Sequence, residues 1–175
     1  FEFIELLNVD STRSIDLGGV SFSQGIEFDF DNTVSAEALV LPPGGRVVLV
    51  DNIEAFNFRY SNSRAIIGGD FAGNLSNDGE QILIVSADGI TIKDFSYNDA
   101  EPWPTSPDGE GFTLVLNEPD QNPDHSIPTS WSASSNIGGS PGQEDGQSFN
   151  GNPEEDKDAD GLSAFLEYAF GTNDS

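Results

Sequence analysis

The chain has 175 residues, with 6 basic against 31 acidic side chains, a formal net charge of -25, one histidine, and neither cysteine nor methionine. Without cysteine there is no disulfide framework, no thiolate metal site and no redox chemistry at sulfur. A surface this acidic repels nucleic acid, anionic lipid and acidic polysaccharide while favouring divalent cations. No apolar run approaches the roughly 20 residues of a membrane span, and no charged-then-apolar signal segment opens the chain. The lack of methionine and the start inside an apparent strand suggest an excerpt of a longer, processed polypeptide whose targeting signal lies upstream.

From Phe1 to about Gly142 the pattern predicts an all-β domain. Short apolar or alternating runs recur at Phe3 to Leu7, Val20 to Phe22, Ile26 to Phe30, Ala38 to Leu41 and Arg46 to Val50. Further runs follow at Gln81 to Val85, Ile90 to Tyr97 and Phe112 to Leu116. Eight such segments suffice for a two-sheet sandwich around one core. Pro42-Pro-Gly-Gly45 and Ser86-Ala-Asp-Gly89 mark sharp reversals between strands. Ile53, Phe56 and Tyr60 fall at i, i+3 and i+7, so Asn52 to Tyr60 reads as a short helix on the sandwich. The rest is expected to be loop, chiefly Asn98 to Asp108 and Pro119 to Ser130.

Residues 143 to 155 hold two glycines and one proline with no helical apolar period, and read as an acidic flexible linker. Residues 156 to 167 then spell Asp-Lys-Asp-Ala-Asp-Gly-Leu-Ser-Ala-Phe-Leu-Glu, a twelve-residue calcium loop. Asp156, Asp158 and Asp160 are spaced to turn alternate carboxylates onto one hard cation, with Gly161 at the sharp turn. The Leu162 backbone carbonyl supplies a further oxygen, and Glu167 closes the cage as the bidentate ligand. Leu162, Phe165, Leu166, Ala169 and Phe170 form one apolar stripe of an exit helix, with Gly171 as its stop signal. Ca2+ is therefore the expected cofactor of residues 156–175. Asp29-Phe-Asp31 and Asp120 to Asp124 offer either a second calcium site or plain acidic surface, and acidic surface is the simpler reading.

The order of segments in residues 1–142 resembles the lamin tail domain family. Phe3-Ile-Glu-Leu-Leu-Asn8 followed by Ile15-Asp-Leu-Gly-Gly-Val20 is similar to the family's opening, in which a strand ends in Asn and an Asp-Leu-Ser/Gly-Gly-Trp turn follows. Val20 stands where many members carry tryptophan. Leu41-Pro-Pro-Gly-Gly45, Asn77-Asp-Gly-Glu80, Asp94-Phe-Ser-Tyr97, Trp103-Pro104, Asp108-Gly-Glu-Gly111, Trp131 and Gly139-Ser-Pro-Gly142 match later landmarks in order. The resemblance implies an immunoglobulin-like β-sandwich and no reaction. In bacterial members of the extracellular type it implies an accessory module of a larger secreted or cell-surface protein. The lone calcium loop likewise resembles the Asp-rich repeats of dockerins and thrombospondin type 3 modules, which implies a structural site served by extracellular calcium.

Catalytic motifs are weak by comparison. Gly138-Gly-Ser140-Pro-Gly142 satisfies Gly-x-Ser-x-Gly, yet Asn136 precedes it and Gln143-Glu-Asp-Gly146 follows, where a nucleophile elbow needs a strand and a helix. His125 lies in a proline-flanked loop, so a triad built on it is not expected. Trp103, Tyr97 and Trp131 could present rings to a sugar, although large aromatics more often fill a core. The reading is that of a noncatalytic adhesion or positioning module with a calcium-stabilised tail. Its expected partners are calcium, cell-surface polysaccharide or protein, and other domains of the same polypeptide. The alternative is a noncatalytic, carbohydrate-binding fragment of an extracellular hydrolase.

Overall fold

The computed structural model describes residues 2–146 except 62 and 64. Backbone contacts divide the chain into two units, Phe1–Asp145 and Gly146–Ser175. The first is mostly strand, in several sheets.

Twelve strands appear in chain order: β1 (Phe3–Leu7), β2 (Ile15–Asp16), β3 (Ser21–Gln24), β4 (Ile26–Asp29), β5 (Val40–Leu41), β6 (Arg46–Val50), β7 (Ile67–Asp70), β8 (Ala72–Gly73), β9 (Gln81–Val85), β10 (Thr91–Ser96), β11 (Leu114–Leu116) and β12 (Trp131–Ala133). Two short helices join them, α1 (Ala36–Leu39) and α2 (Ile53–Arg59). A five-stranded sheet runs β10-β9-β3-β4-β8, and a three-stranded sheet runs β1-β6-β7. The pairs β2-β5 and β11-β12 stand apart as two-stranded ladders.

The alternation of β4 and β9 positions one core. Ile26 and Phe28 are buried between exposed Glu27 and Asp29, and Ile82 and Ile84 are buried while their neighbours are not. These side chains pack with Val47 and Leu49 of β6, so the two larger sheets share a single apolar cluster. Val48 and Val50 project from the opposite face of β6 and meet Phe56 of α2, with Phe3, Ile53 and Tyr60 around them. The run Val-Val-Leu-Val is continuously apolar because this strand is covered on both faces.

Strand β7 lies parallel to β6, and the connection between them carries α2 across the sheet. Parallel neighbours need such a crossover, since a tight hairpin can join only antiparallel strands. Asn52 caps the helix by accepting from the Ala55 amide at 2.8 Å, and Asp70 accepts from the Ile53 amide at 2.6 Å. Both groups satisfy amides that the first turn leaves without helical partners.

Several expectations need correction, since β2, β7, β8 and β12 form in segments expected to be loop. Residues 38–41 do not form one strand: α1 occupies Ala36–Leu39, and only Val40–Leu41 are extended. Ser35 caps this turn by accepting from the Glu37 amide, and Ala38 is fully buried beneath it. The segment around Gly68-Gly69 reads as loop yet forms β7. A Cβ on Gly68 would sit 2.6 Å from Leu49 Cδ2 and 3.1 Å from Val47 Cγ2, so the strand can approach β6 only without a side chain there. Gly68→Ala is therefore expected to lower unfolding free energy by about 1–3 kcal/mol through overpacking. A urea midpoint equal to that of the unaltered chain would contradict this packing.

Candidate functional site

The five expected calcium ligands, Asp156, Asp158, Asp160, Leu162 and Glu167, lie outside the described residues. Among the described residues no group of three or more acidic or histidine side chains is gathered as a metal cage. At the first of the two further acidic positions, Asp29 caps a 3-10 turn by accepting from the Asp31 amide, and Asp31 accepts from the Gly19 amide at 2.8 Å. At the second, Asp124 accepts from the Ser126 amide at 2.9 Å. These carboxylates close turns.

Ser140 lies in a run of turns, with no strand leading in and no helix leading out. Its hydroxyl donates to Asp145 Oδ1 at 3.0 Å, while Asp145 Oδ2 accepts from the Ser135 amide at 2.9 Å. The segment that contains it closes the α2 side of the three-stranded sheet. Tyr60 donates its hydroxyl to the Gly138 carbonyl at 2.5 Å, and Ser63 donates to the Pro141 carbonyl at 3.1 Å. The Gly142 amide donates to Glu5 Oε2 at 2.6 Å, on the carboxylate whose other oxygen pairs with Arg46 at 2.5 Å. Burial pushes the Glu5 carboxyl above its usual range, outweighing the Gly142 amide and the Arg46 guanidinium, which pull it down.

His125 is placed elsewhere and makes a different set of contacts. Its Nδ1 lies 2.8 Å from the Pro123 carbonyl, and because a carbonyl only accepts, that nitrogen carries the proton. The ring packs 5.1 Å from Phe95 and 5.7 Å from Trp131 between centroids. Trp131 stacks on Phe95 at 5.7 Å and touches Trp103 at 6.2 Å, while its indole N–H donates to the His125 carbonyl at 2.8 Å. Burial lowers the His125 pKa below its usual value.

The three aromatics singled out in the sequence are thus placed in two groups. Trp103 is buried and Trp131 half-buried, and their rings face other rings. Tyr97 packs against the main core and donates its hydroxyl to the Ser76 carbonyl at 2.7 Å. Burial and the adjacent Glu80 push that hydroxyl's pKa well up. Phe95, which joins the indoles to His125, escaped notice in the sequence. Its signal was the alternation of Lys93 and Phe95 along β10, continued by Tyr97 just past its end, which turns all three to one side.

The two long loops are tied down at their bases. Asn98 donates to the Asp78 carbonyl at 3.2 Å and accepts from the Ala100 amide at 2.9 Å. In the second loop Lys93 Nζ donates to Asn122 Oδ1 at 2.8 Å. Glu118 and Asn122 both adopt left-handed backbone, with φ of 48°, and they are the only non-glycine residues to do so among those described. Between the anchors the tips expose Asp120, Gln121, Ser126 and Ile127.

Comparison with known proteins brings no relative: no family matches the chain, and no curated protein and no solved structure matches it. No helix among the described residues is long and apolar enough to cross a membrane.

Proposed function

We propose that the chain is a noncatalytic binding or adhesion module, a lamin-tail-like, immunoglobulin-like sandwich with a calcium-stabilised tail, carried by a larger secreted or cell-surface bacterial protein. The observation that carries this reading is the engagement of its reactive side chains. Ser140 is hydrogen-bonded to Asp145, and the His125 ring is bonded to Pro123 and packed against both Phe95 and Trp131. Each has a structural task, and neither bonds to the other as a nucleophile and its base must. The residues that carry the family resemblance do similar work. Asn8 is joined to the Leu41-Pro-Pro-Gly-Gly45 turn, and Gly142 to Glu5 on β1.

A rigid sheet scaffold with anchored, polar loop tips suits recognition. The loops 98–108 and 119–130 are its recognition surface, and cell-surface polysaccharide or protein is its ligand. Acidic polymers are disfavoured by the charge of -25.

The reading is tested by presenting ester, peptide, phosphodiester and glycoside substrates to the purified chain, its Ser140→Ala form and its His125→Ala form. No turnover is expected from any of the three. Turnover abolished by either substitution would overturn the proposal.

A further inference from the structure

We propose that His125 is a latch that holds the 117–130 loop against β10 and β12, and that acidification releases it. The use of this latch rests on the reading of that loop as a recognition surface; its existence does not.

The geometry gives His125 three attachments. Its ring touches Phe95 of β10 and Trp131 of β12, its carbonyl receives the Trp131 indole N–H, and its Nδ1–H closes onto Pro123. The loop depends on such anchors because Glu118 and Asn122 hold left-handed backbone on either side of Pro119–Gln121. Non-glycine residues reach that region at a cost of order 1 kcal/mol each. A closed loop that carries this cost persists only while its contacts outweigh it.

Protonation attacks the central contact. The neutral ring already uses its one N–H on Pro123, so an added proton goes to Nε2, on a half-buried ring beside two other aromatics. Two charged groups face the imidazole. Lys93 comes from β10 and opposes the new charge, and Asp124 comes from the loop itself and favours it. β12 contributes the indole of Trp131. Burial is the largest influence and acts with Lys93, so the closed loop prefers the neutral ring over the Pro123 and Asp124 contributions.

The sign then follows from linkage. A histidine whose midpoint is lower in the closed state than in the open one must release its proton when the loop closes. Closure is therefore at full strength above the ordinary midpoint of about 6.5 and weakens as pH falls through it. This histidine is the only one in the chain, and a variant lacking it separates its titration from that of carboxyls such as Glu5, which burial raises.

Two measurements on the whole chain decide the matter. The His125 ring is titrated by proton NMR, and amide exchange is followed at about pH 7.5 and about pH 5.5 after correction for intrinsic rates. The expected midpoint lies below 6.5, the usual value. Protection over 117–130 is expected to fall by about threefold or more on acidification, and His125→Phe, which keeps a packed ring without a titrating nitrogen, is expected to retain it. A midpoint at or above 6.5, or an equal loss of protection in His125→Phe, would overturn the latch. If His125→Phe fails to fold, the midpoint in the unaltered chain decides alone, because its position relative to the open value fixes the sign. Neither readout involves a ligand or a substrate, so failure here leaves the binding-module reading untouched, and the reverse.

Discussion

Glu167→Ala and Asp160→Ala are each expected to abolish the heat of calcium binding that the unaltered chain gives in isothermal titration. Three aspartates within five residues repel one another without a counter-ion, and a hard divalent cation relieves that repulsion while taking its oxygens. At position 12 of the proposed loop, Glu167 is the expected bidentate ligand. Its loss removes both a formal charge and the closure of the cage. Asp160, at position 5 of the proposed loop, supplies one of the carboxylates that the expected cage requires. The affinity is expected to be weak, on the order of 10⁻⁴ to 10⁻³ M, the range of extracellular modules. Magnesium should compete poorly, because it demands a small octahedron and gives up its water reluctantly. Equal heats from all three proteins would refute the assignment of Asp156, Asp158, Asp160, Leu162 and Glu167.

The strand pattern was legible where an apolar run was bounded on both sides by turn residues. β1, β6 and β9 begin and end at the residues the apolar runs predict, and the short helix after β6 follows from the spacing of Ile53, Phe56 and Tyr60. What escaped was structure specified by absence of a side chain. Gly68 and Gly69 look like a turn, yet they let β7 lie close beside β6 with Phe28 of the facing sheet pressed against them. Gly79 shows the same logic at a turn. Its φ is 91°, and a Cβ there would fall 2.4 Å from the Tyr97 carbonyl oxygen. The parallel pairing of β6 with β7 was also hidden, because Val47 to Val50 says that both faces are covered without saying by what. α1 was misread for a related reason: Ala38, Leu39 and Leu41 suit a strand as well as a helix, and the Ser35 cap tips the balance.

The contacts of the candidate site were legible to a different depth. Charge and missing cysteine exclude whole classes of chemistry, but the engagement of Ser140 with Asp145 and of His125 with Pro123 depends on contacts that spacing alone does not fix. The His125 cluster joins residues 95, 125 and 131, brought together because β12 delivers Trp131 beside β10. No local pattern announces such a meeting.

Replacing Asn8 is expected to produce the largest loss of stability among single polar substitutions in the described residues. Asn8 is 1% exposed. Its Nδ2 donates toward the carbonyls of Arg13, Leu41 and Pro42 at 2.9, 3.0 and 3.0 Å, and its Oδ1 accepts from the Asp10 amide at 2.9 Å. Its backbone is engaged too, donating to the Gly45 carbonyl at 2.9 Å and accepting from the Gly44 amide at 3.0 Å. One side chain thereby fastens the end of β1 to the turn before β6 and to the loop that leads toward β2. Asn8→Ala leaves these buried carbonyls short of a donor and should cost about 3 kcal/mol, within the range for orphaned buried polar groups. Asn8→Asp should cost more, because a carboxylate would face three carbonyl oxygens with no proton to offer while being taken out of water. Chemical denaturation of the three proteins decides it: the midpoint should fall for alanine and further for aspartate, with the slope unchanged. A loss below about 1 kcal/mol for Asn8→Ala would mean that water replaces the amide, and that the turn is held by its backbone bonds to Gly44 and Gly45 alone.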